Sequence, residues 1–354
     1  MNAASPTPGA CAPAARGPAL GALTALLLVI TVSAVLQGAL PIDGTTLWDE
    51  LLTFRTSHDQ VSYVLWQLRL PRVALAALIG AGLAVAGAAL QTLFRNPLAD
   101  PGLVGVSSGA ALGAVLCLNF RGSIAAAVPA VAGVLAVPVM AFAGGLAATA
   151  GMFALVRERD TAATAQLLLF GVAMNALCGA LIGCVLFTAT DQTVRDFTFW
   201  NLGSLSGASW VLAGPVAAAT LFGGLLLLGE ARRLDAWALG EQAAEHLGVN
   251  TRRTRRRVIL AASLIVGAAV AAAGIIGFIG LVVPHLARGV VGASHRSALP
   301  ASALLGAALV VAADLASRTL VLPAELPIGI VTALAGTPFL VWLVRRGRAL
   351  RGSA

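Results

Sequence analysis

The feature that most constrains this chain lies between Arg72 and Arg95, where every residue from Val73 to Phe94 is uncharged. A helix rises about 1.5 Å per residue, and about 20 apolar residues cross a bilayer core. A run of this length closed at each end by arginine is therefore a membrane-spanning helix. Arg69-Leu-Pro-Arg72 marks its entrance, and Arg95-Asn-Pro-Leu-Ala-Asp-Pro-Gly102 forms a turn at its exit. Gly80, Ala81, Gly82, Ala84, Ala86 and Gly87 leave much of its surface without bulky side chains. The span is predicted to pack against another helix backbone more than against lipid.

The same pattern recurs along the chain. Apolar runs of spanning length predict about ten transmembrane helices, at approximately 19–40, 73–94, 103–119, 131–156, 165–189, 210–229, 257–273, 275–293, 299–321 and 327–344. Only 11% of the 354 residues are charged and 58% are hydrophobic, too little polar surface for a soluble fold. The expected class is an all-α, polytopic membrane protein. Its parts are a disordered leader at 1–18, one transmembrane domain at 19–346 and a tail at 347–354.

The net charge of +8 is not read as a nucleic-acid footprint, because the arginines cluster in the loops between apolar runs. Placing both termini in the cytoplasm puts most of them inside, including the run from Arg252 to Arg257. There is no lysine, so a G-x-x-x-x-G-K-[ST] phosphate loop is excluded and the chain is no P-loop ATPase. Cys11, Cys117, Cys178 and Cys184 lack metal-ligand spacing.

Two polar stretches stand out. Residues 41–68, with Asp43, Asp49, Glu50 and Asp59 among Trp48, Leu51, Leu52 and Phe54, read as an amphipathic segment on the outer surface. Residues 230–257 form the longest inner loop, whose middle reads as one or two short helices broken at Gly240 and Gly248. An Arg-rich topological anchor explains Arg252 to Arg257. It does not explain the preceding helical piece, which a docking surface for a cytoplasmic subunit does.

Three motifs have competing readings. Gly105-Val-Ser-Ser-Gly109 matches a nucleophile elbow but opens a membrane helix, which favours a helix start with Ser107 or Ser108 near the cap. His285, after Pro284, has no second ligand at helical spacing and reads as a kink with a satisfied imidazole. Asp314 and Arg318, four apart in an apolar span, read as an ion pair on one helix face. Arg69, Arg72 and Arg318 all fall at outer ends of spans, either snorkelling to headgroups or forming a collar for a partner's carboxylates.

RLPRVALAALIGAGLAVAGAALQTLFRNPLADPG, GIIGFIGLVVPHLARGVVG and DLASRTLVLPAELPIGIVTALAGTPFLVWLVRR resemble the FecCD family, the permease subunits of type II ABC importers for vitamin B12, ferric siderophores and haem. The resemblance runs in order from residue 60 to 346. It implies the type II importer permease fold in the bacterial inner membrane, a second copy of the chain, two cytoplasmic ABC ATPase subunits and a periplasmic substrate-binding protein. ATP and Mg would be used by the ATPase, with no cofactor bound by this chain and no enzyme activity of its own. Arg69, Arg72 and Arg318 then receive acidic groups of the binding protein, and Leu239, Gly240, Glu241, Ala244, Leu247 and Gly248 belong to coupling helices seated on the ATPase. Phe197-Thr-Phe-Trp-Asn-Leu-Gly-Ser-Leu205 looks more like haem permeases than vitamin B12 ones, ranking haem ahead of ferric siderophores and cobalamin. The rival class, an ion-coupled secondary transporter, needs intramembrane acids, for which only Asp314 is a candidate.

Overall fold

A computed structural model of the chain describes residues 16–38, 40, 42–53, 60–122, 135–155, 163–321 and 323–351. Its helices are α1 Arg16–Leu36, α2 Gly44–Thr53, α3 Leu70–Leu93, α4 Val106–Asn119, α5 Ala136–Leu155, α6 Ala163–Thr188 and α7 Asp191–Asn201. They continue as α8 Trp210–Gly229, α9 Ala231–Trp237, α10 Glu241–His246, α11 Thr251–Ala273, α12 Ile279–Val291, α13 His295–Thr319 and α14 Ile328–Arg351. Seven helical stretches among the described residues are long and apolar enough to cross a membrane, and α4, α12 and the 328–343 part of α14 are shorter apolar helices. Together they correspond to the ten predicted segments.

α3 is the centre of the bundle, with α8, α11, α12 and α13 packed around it. The apolar stretch of Gln60–Leu93 is 78% buried, against 11% for that of α6. The glycines account for this closeness. A Cβ on Gly80 or on Gly306 would overlap the other residue's carbonyl oxygen, so α3 and α13 meet backbone to backbone. Gly109 and Gly144 do the same between α4 and α5. Gly179 and Gly183 of α6, by contrast, meet nothing among the described residues.

Several boundaries differ from the sequence reading, each for a local reason. The central span begins at Gln60 and not at Val73, because one helical turn (Gln60–Tyr63) and a π turn (Val64–Arg69) run straight into α3. Pro71 has no N–H to donate back into that lead-in, and Leu70 N–H reaches back five residues to Leu65 O, the spacing of the π turn just before the proline. Leu65 is fully buried and Trp210 Nε1 donates to Trp66 O at 2.9 Å, which ties this lead-in to α8. Of the predicted surface segment 41–68, only 41–59 can therefore lie outside a span; α2 occupies part of it, and residues 54–59 lie outside the described residues.

α11 likewise starts at Thr251, capped by Asn250 Oδ1 accepting Arg253 N–H at 2.9 Å, so the arginine run is helix and not loop. α12 starts at Ile279 because Gly274 (φ 71°) and Phe278 (φ 69°) are left-handed. α7, capped by Thr190, was not among the predicted segments, being too short and polar to register as a span. α1 begins inside the predicted leader, of which residues 1–15 lie outside the described residues. α14 runs past 346 to Arg351, and residues 352–354 lie outside.

Candidate functional site

Two polar constellations occupy opposite ends of the α3–α13 pair. The first gathers where the C-termini of α1 and α13 meet the start of α3. Arg69 Nη1 donates to Val35 O at 2.7 Å and Leu36 O at 3.1 Å, and Nη2 donates to Leu40 O. Arg318 Nη2 donates to Ala34 O. The last carbonyls of a helix have no partners within it and carry partial negative charge. Two guanidinium groups from other helices thus cap α1. Gly38 leaves room beside them, since a Cβ there would fall 2.6 Å from Arg69 Nη2 and displace the guanidinium.

Arg72 is held differently. Its Nε donates to Asp314 Oδ1 at 2.9 Å and Oδ2 at 3.2 Å, while Nη1 and Nη2 each donate to one oxygen of Glu325 at 3.0 Å. Asp314 is 1% exposed and Glu325 is 43% exposed, so Arg72 bridges a buried carboxylate to a surface one. Arg69, Arg72, Arg318 and Glu325 line one recess of about 390 Å³, with Leu68, Ser206 and Pro323. The structure therefore brings all three predicted arginines together.

It also adds partners. The ion pair that helical spacing predicts is present, Arg318 Nε lying 3.6 Å from Asp314 Oδ2, but that nitrogen has no hydrogen-bond partner among the described residues. The hydrogen-bonded partner of Asp314 is Arg72, across the helix interface. The end of α1 competes for Arg318 and wins part of it. Glu325 was not singled out by sequence; its one trace is an acid set between apolar runs just before Leu326-Pro327.

The second constellation surrounds α9 and α10. Gly240 (φ 123°) and Gly248 (φ 81°) separate and end the two short helices, as the glycine breaks predict. Trp237 is buried, its Nε1 donating to Leu93 O at 3.1 Å at the exit of α3, with Arg255 stacked 5.6 Å over its ring. Arg255 also donates to Glu241, and Thr251 Oγ1 donates to Glu245 at 2.7 Å. Glu230 accepts from Arg233 and Arg257 at 2.7 Å each and from Thr254 at 3.2 Å. Burial alone would raise the Glu230 carboxyl, but these donors and the Arg233 charge hold it below the usual carboxylate range.

The predicted coupling residues divide accordingly. Leu239 and Leu247 are 69% and 64% exposed, and Gly248 is exposed beside them. Gly240 and Ala244 are buried, and Glu241 is turned to Arg255. Two exposed leucines on a segment pinned from behind by Trp237 and Arg255 form a presented apolar surface. Arg95, in the turn after α3, comes within 3.9 Å of where a Gly240 Cβ would stand.

The other motifs are structural. Ser108 Oγ donates to Asn175 Oδ1 at 2.7 Å and lies 3.0 Å from Gly105 O, which makes the G-x-S-x-G stretch a helix start. His285 packs edge-on to Phe339 at 6.2 Å. No cluster of three metal-capable side chains occurs among the described residues.

A bundle of apolar helices with glycine-lined contacts, a charged recess at one end and a presented loop at the other defines a polytopic membrane transport subunit. Residues 26–346 match the FecCD transport family, and the chain belongs to that family of ABC importer permeases. It is 44% identical over 338 residues to the hemin transport system permease protein HmuU of Yersinia pestis, covering 94% of this chain and 96% of that one. It is 39% identical to the cobalamin import system permease protein BtuC of Halobacterium salinarum, covering 93% and 88%. The Fe(3+) dicitrate transport system permease protein FecD of Escherichia coli is 40% identical, covering 88% and 93%. A solved structure described as an inward-facing metal-chelate type ABC transporter superimposes with a TM-score of 0.81 at 32% identity, over 93% of this chain and 99% of that one.

Proposed function

We propose that this chain is the transmembrane subunit of an importer that carries an iron chelate, specifically haem, from periplasm to cytoplasm. The observation that carries the cargo is the 44% identity to the hemin permease across 94% of the chain, against 38–40% for the named cobalamin and dicitrate permeases above and beside it. The apolar, glycine-lined helix contacts favour a large flat ligand that must be released and not retained.

In this reading both termini are cytoplasmic, and the chain works with a second copy of itself, two separate ATPase subunits that use ATP and Mg, and one periplasmic binding protein. The second copy covers α6, whose apolar stretch is only 11% buried and whose Gly179 and Gly183 leave room for a close helix. The recess of Arg69, Arg72 and Arg318 receives the binding protein's carboxylates, and the 239–248 segment, through Leu239 and Leu247, sits on the ATPase. ATP binding then selects between inward- and outward-facing arrangements of the bundle.

The experiment is competition uptake into proteoliposomes holding the complete complex, with haem, a ferric siderophore and cobalamin offered together. Haem uptake that needs ATP and the binding protein is expected. Preferential uptake of either other ligand overturns the cargo assignment, and uptake that persists without the ATPase overturns the importer reading in favour of an ion-coupled transporter.

A further inference from the structure

Within the recess, Arg72 has no guanidinium edge standing ready for an outside carboxylate. Arg69 and Arg318 direct N–H groups to the end of α1, and Arg72 has Nε on Asp314 and both terminal nitrogens on Glu325. The Asp314 side of Arg72 is sealed, because that carboxylate is 1% exposed. The Glu325 side is open: Glu325 is 43% exposed and follows the exposed residues Pro323 and Ala324. Its backbone is anchored just beyond, where Leu326 N–H donates to Ser317 O at 2.9 Å. Rotation of one surface side chain therefore uncovers a paired N–H edge whose geometry suits a carboxylate.

We propose that Glu325 is an intrachain stand-in for a carboxylate of the periplasmic partner, and that docking proceeds by exchange of the partner's carboxylate for Glu325 on Arg72. This inference rests on the docking reading above and adds what that reading lacks, a mechanism by which a saturated arginine becomes available. Three arginines against Asp314 and Glu325 leave the recess positive by one charge. An approaching acid is drawn in, but it must compete with a carboxylate already in place. The competition sets a ceiling on affinity and lets the partner leave after delivery, because Glu325 recloses the fork. The pair is partly solvent-exposed, so its loss is expected to change affinity by a modest factor.

The test uses the complete complex in nanodiscs, with the binding protein that supports uptake in proteoliposomes as the probe. Glu325→Gln keeps the shape and removes the charge; docking is expected to tighten about threefold to tenfold and its salt dependence to steepen. Arg72→Lys keeps a cation beside buried Asp314 but removes the fork. It is expected to weaken docking and to abolish the effect of Glu325→Gln in the double variant. Weaker or unchanged docking in Glu325→Gln, with Arg72→Lys still weakened, overturns the exchange and leaves the docking reading standing. Unchanged docking in Arg72→Lys overturns both.

Discussion

Asp235 caps a helix that belongs to another part of the chain. Its Oδ1 accepts the backbone N–H of His295 at 2.8 Å and lies 2.6 Å from that residue's Nδ1, while Oδ2 accepts from Ser294 Oγ at 3.2 Å. The other ring nitrogen of His295, Nε2, lies 2.7 Å from the Thr92 hydroxyl. One carboxylate on α9 thus fixes the start of α13 and, through His295, the end of α3. At the far end the same two helices are joined by Arg72 and Asp314. The loop proposed to meet the ATPase and the recess proposed to meet the binding protein lie at the two ends of one cross-linked helix pair.

Removing that cap should loosen one end without unfolding the bundle. Asp235→Ala is expected to cost about 1–3 kcal/mol, the sum of a lost N-cap and an unpartnered buried imidazole. Asp235→Asn, which can still accept the N–H, should cost less than half of that. Thermal unfolding in detergent gives the totals, and hydrogen exchange at the amides of residues 295–298 locates the loss. Unchanged exchange there would show that Asp235 does not hold the helix start.

The capping of α1 makes an opposite prediction for the arginines. Arg69→Met removes donors to three carbonyls near the helix end, and hydrogen bonds from charged groups are worth about 1.5–3 kcal/mol each in favourable cases. A loss of about 2–4 kcal/mol is expected in thermal unfolding. Arg69→Lys should recover only part of it, because an ammonium cannot span Val35, Leu36 and Leu40 together. If Arg69 served docking alone, stability would not move.

The central span was legible because an uncharged run between two arginines has few other solutions, and the breaks at Gly240 and Gly248 were legible because both need positive φ. What stayed hidden was pairing across distance. Nothing in the sequence links Arg72 to Asp314 or Glu325, more than two hundred positions away, and helical spacing offered Arg318 as a nearer partner. The work of Arg69 was hidden for another reason: its partners are backbone carbonyls, which leave no residue-type trace. The Glu241–Arg255 contact was hidden because Arg255 read as a topological anchor in a loop and not as part of the first turns of α11.

The glycine contacts separate two roles that composition alone blurs. Gly80→Ala places a methyl group against the Gly306 carbonyl and must push α3 from α13, at a cost of about 1–3 kcal/mol. Gly179→Ala meets nothing among the described residues and should leave unfolding of the isolated subunit within about 1 kcal/mol. A larger side chain, Gly179→Leu, should leave that stability similar yet shift the complex toward monomers in native mass spectrometry. A dimer unaffected by Gly179→Leu would place the second copy on a different face.

Glu230 supplies the pH dependence. Its carboxyl is held below the usual range by Arg233, Arg257 and Thr254 despite burial, so its folded value lies under its unfolded one. The sign follows: the unfolded chain binds the proton first as pH falls. The stabilisation is therefore complete above the ordinary glutamate value of about 4.3 and is lost as pH drops through the depressed folded value. Glu230→Gln removes that dependence. The difference in unfolding free energy between the parent chain and Glu230→Gln should be largest near neutral pH and shrink steadily below about pH 4.3, whatever the remaining carboxylates contribute to both. A difference that stays constant down to strongly acidic pH would mean that the Arg233–Glu230–Arg257 cluster adds no charge-dependent stability to the start of α9 and α11.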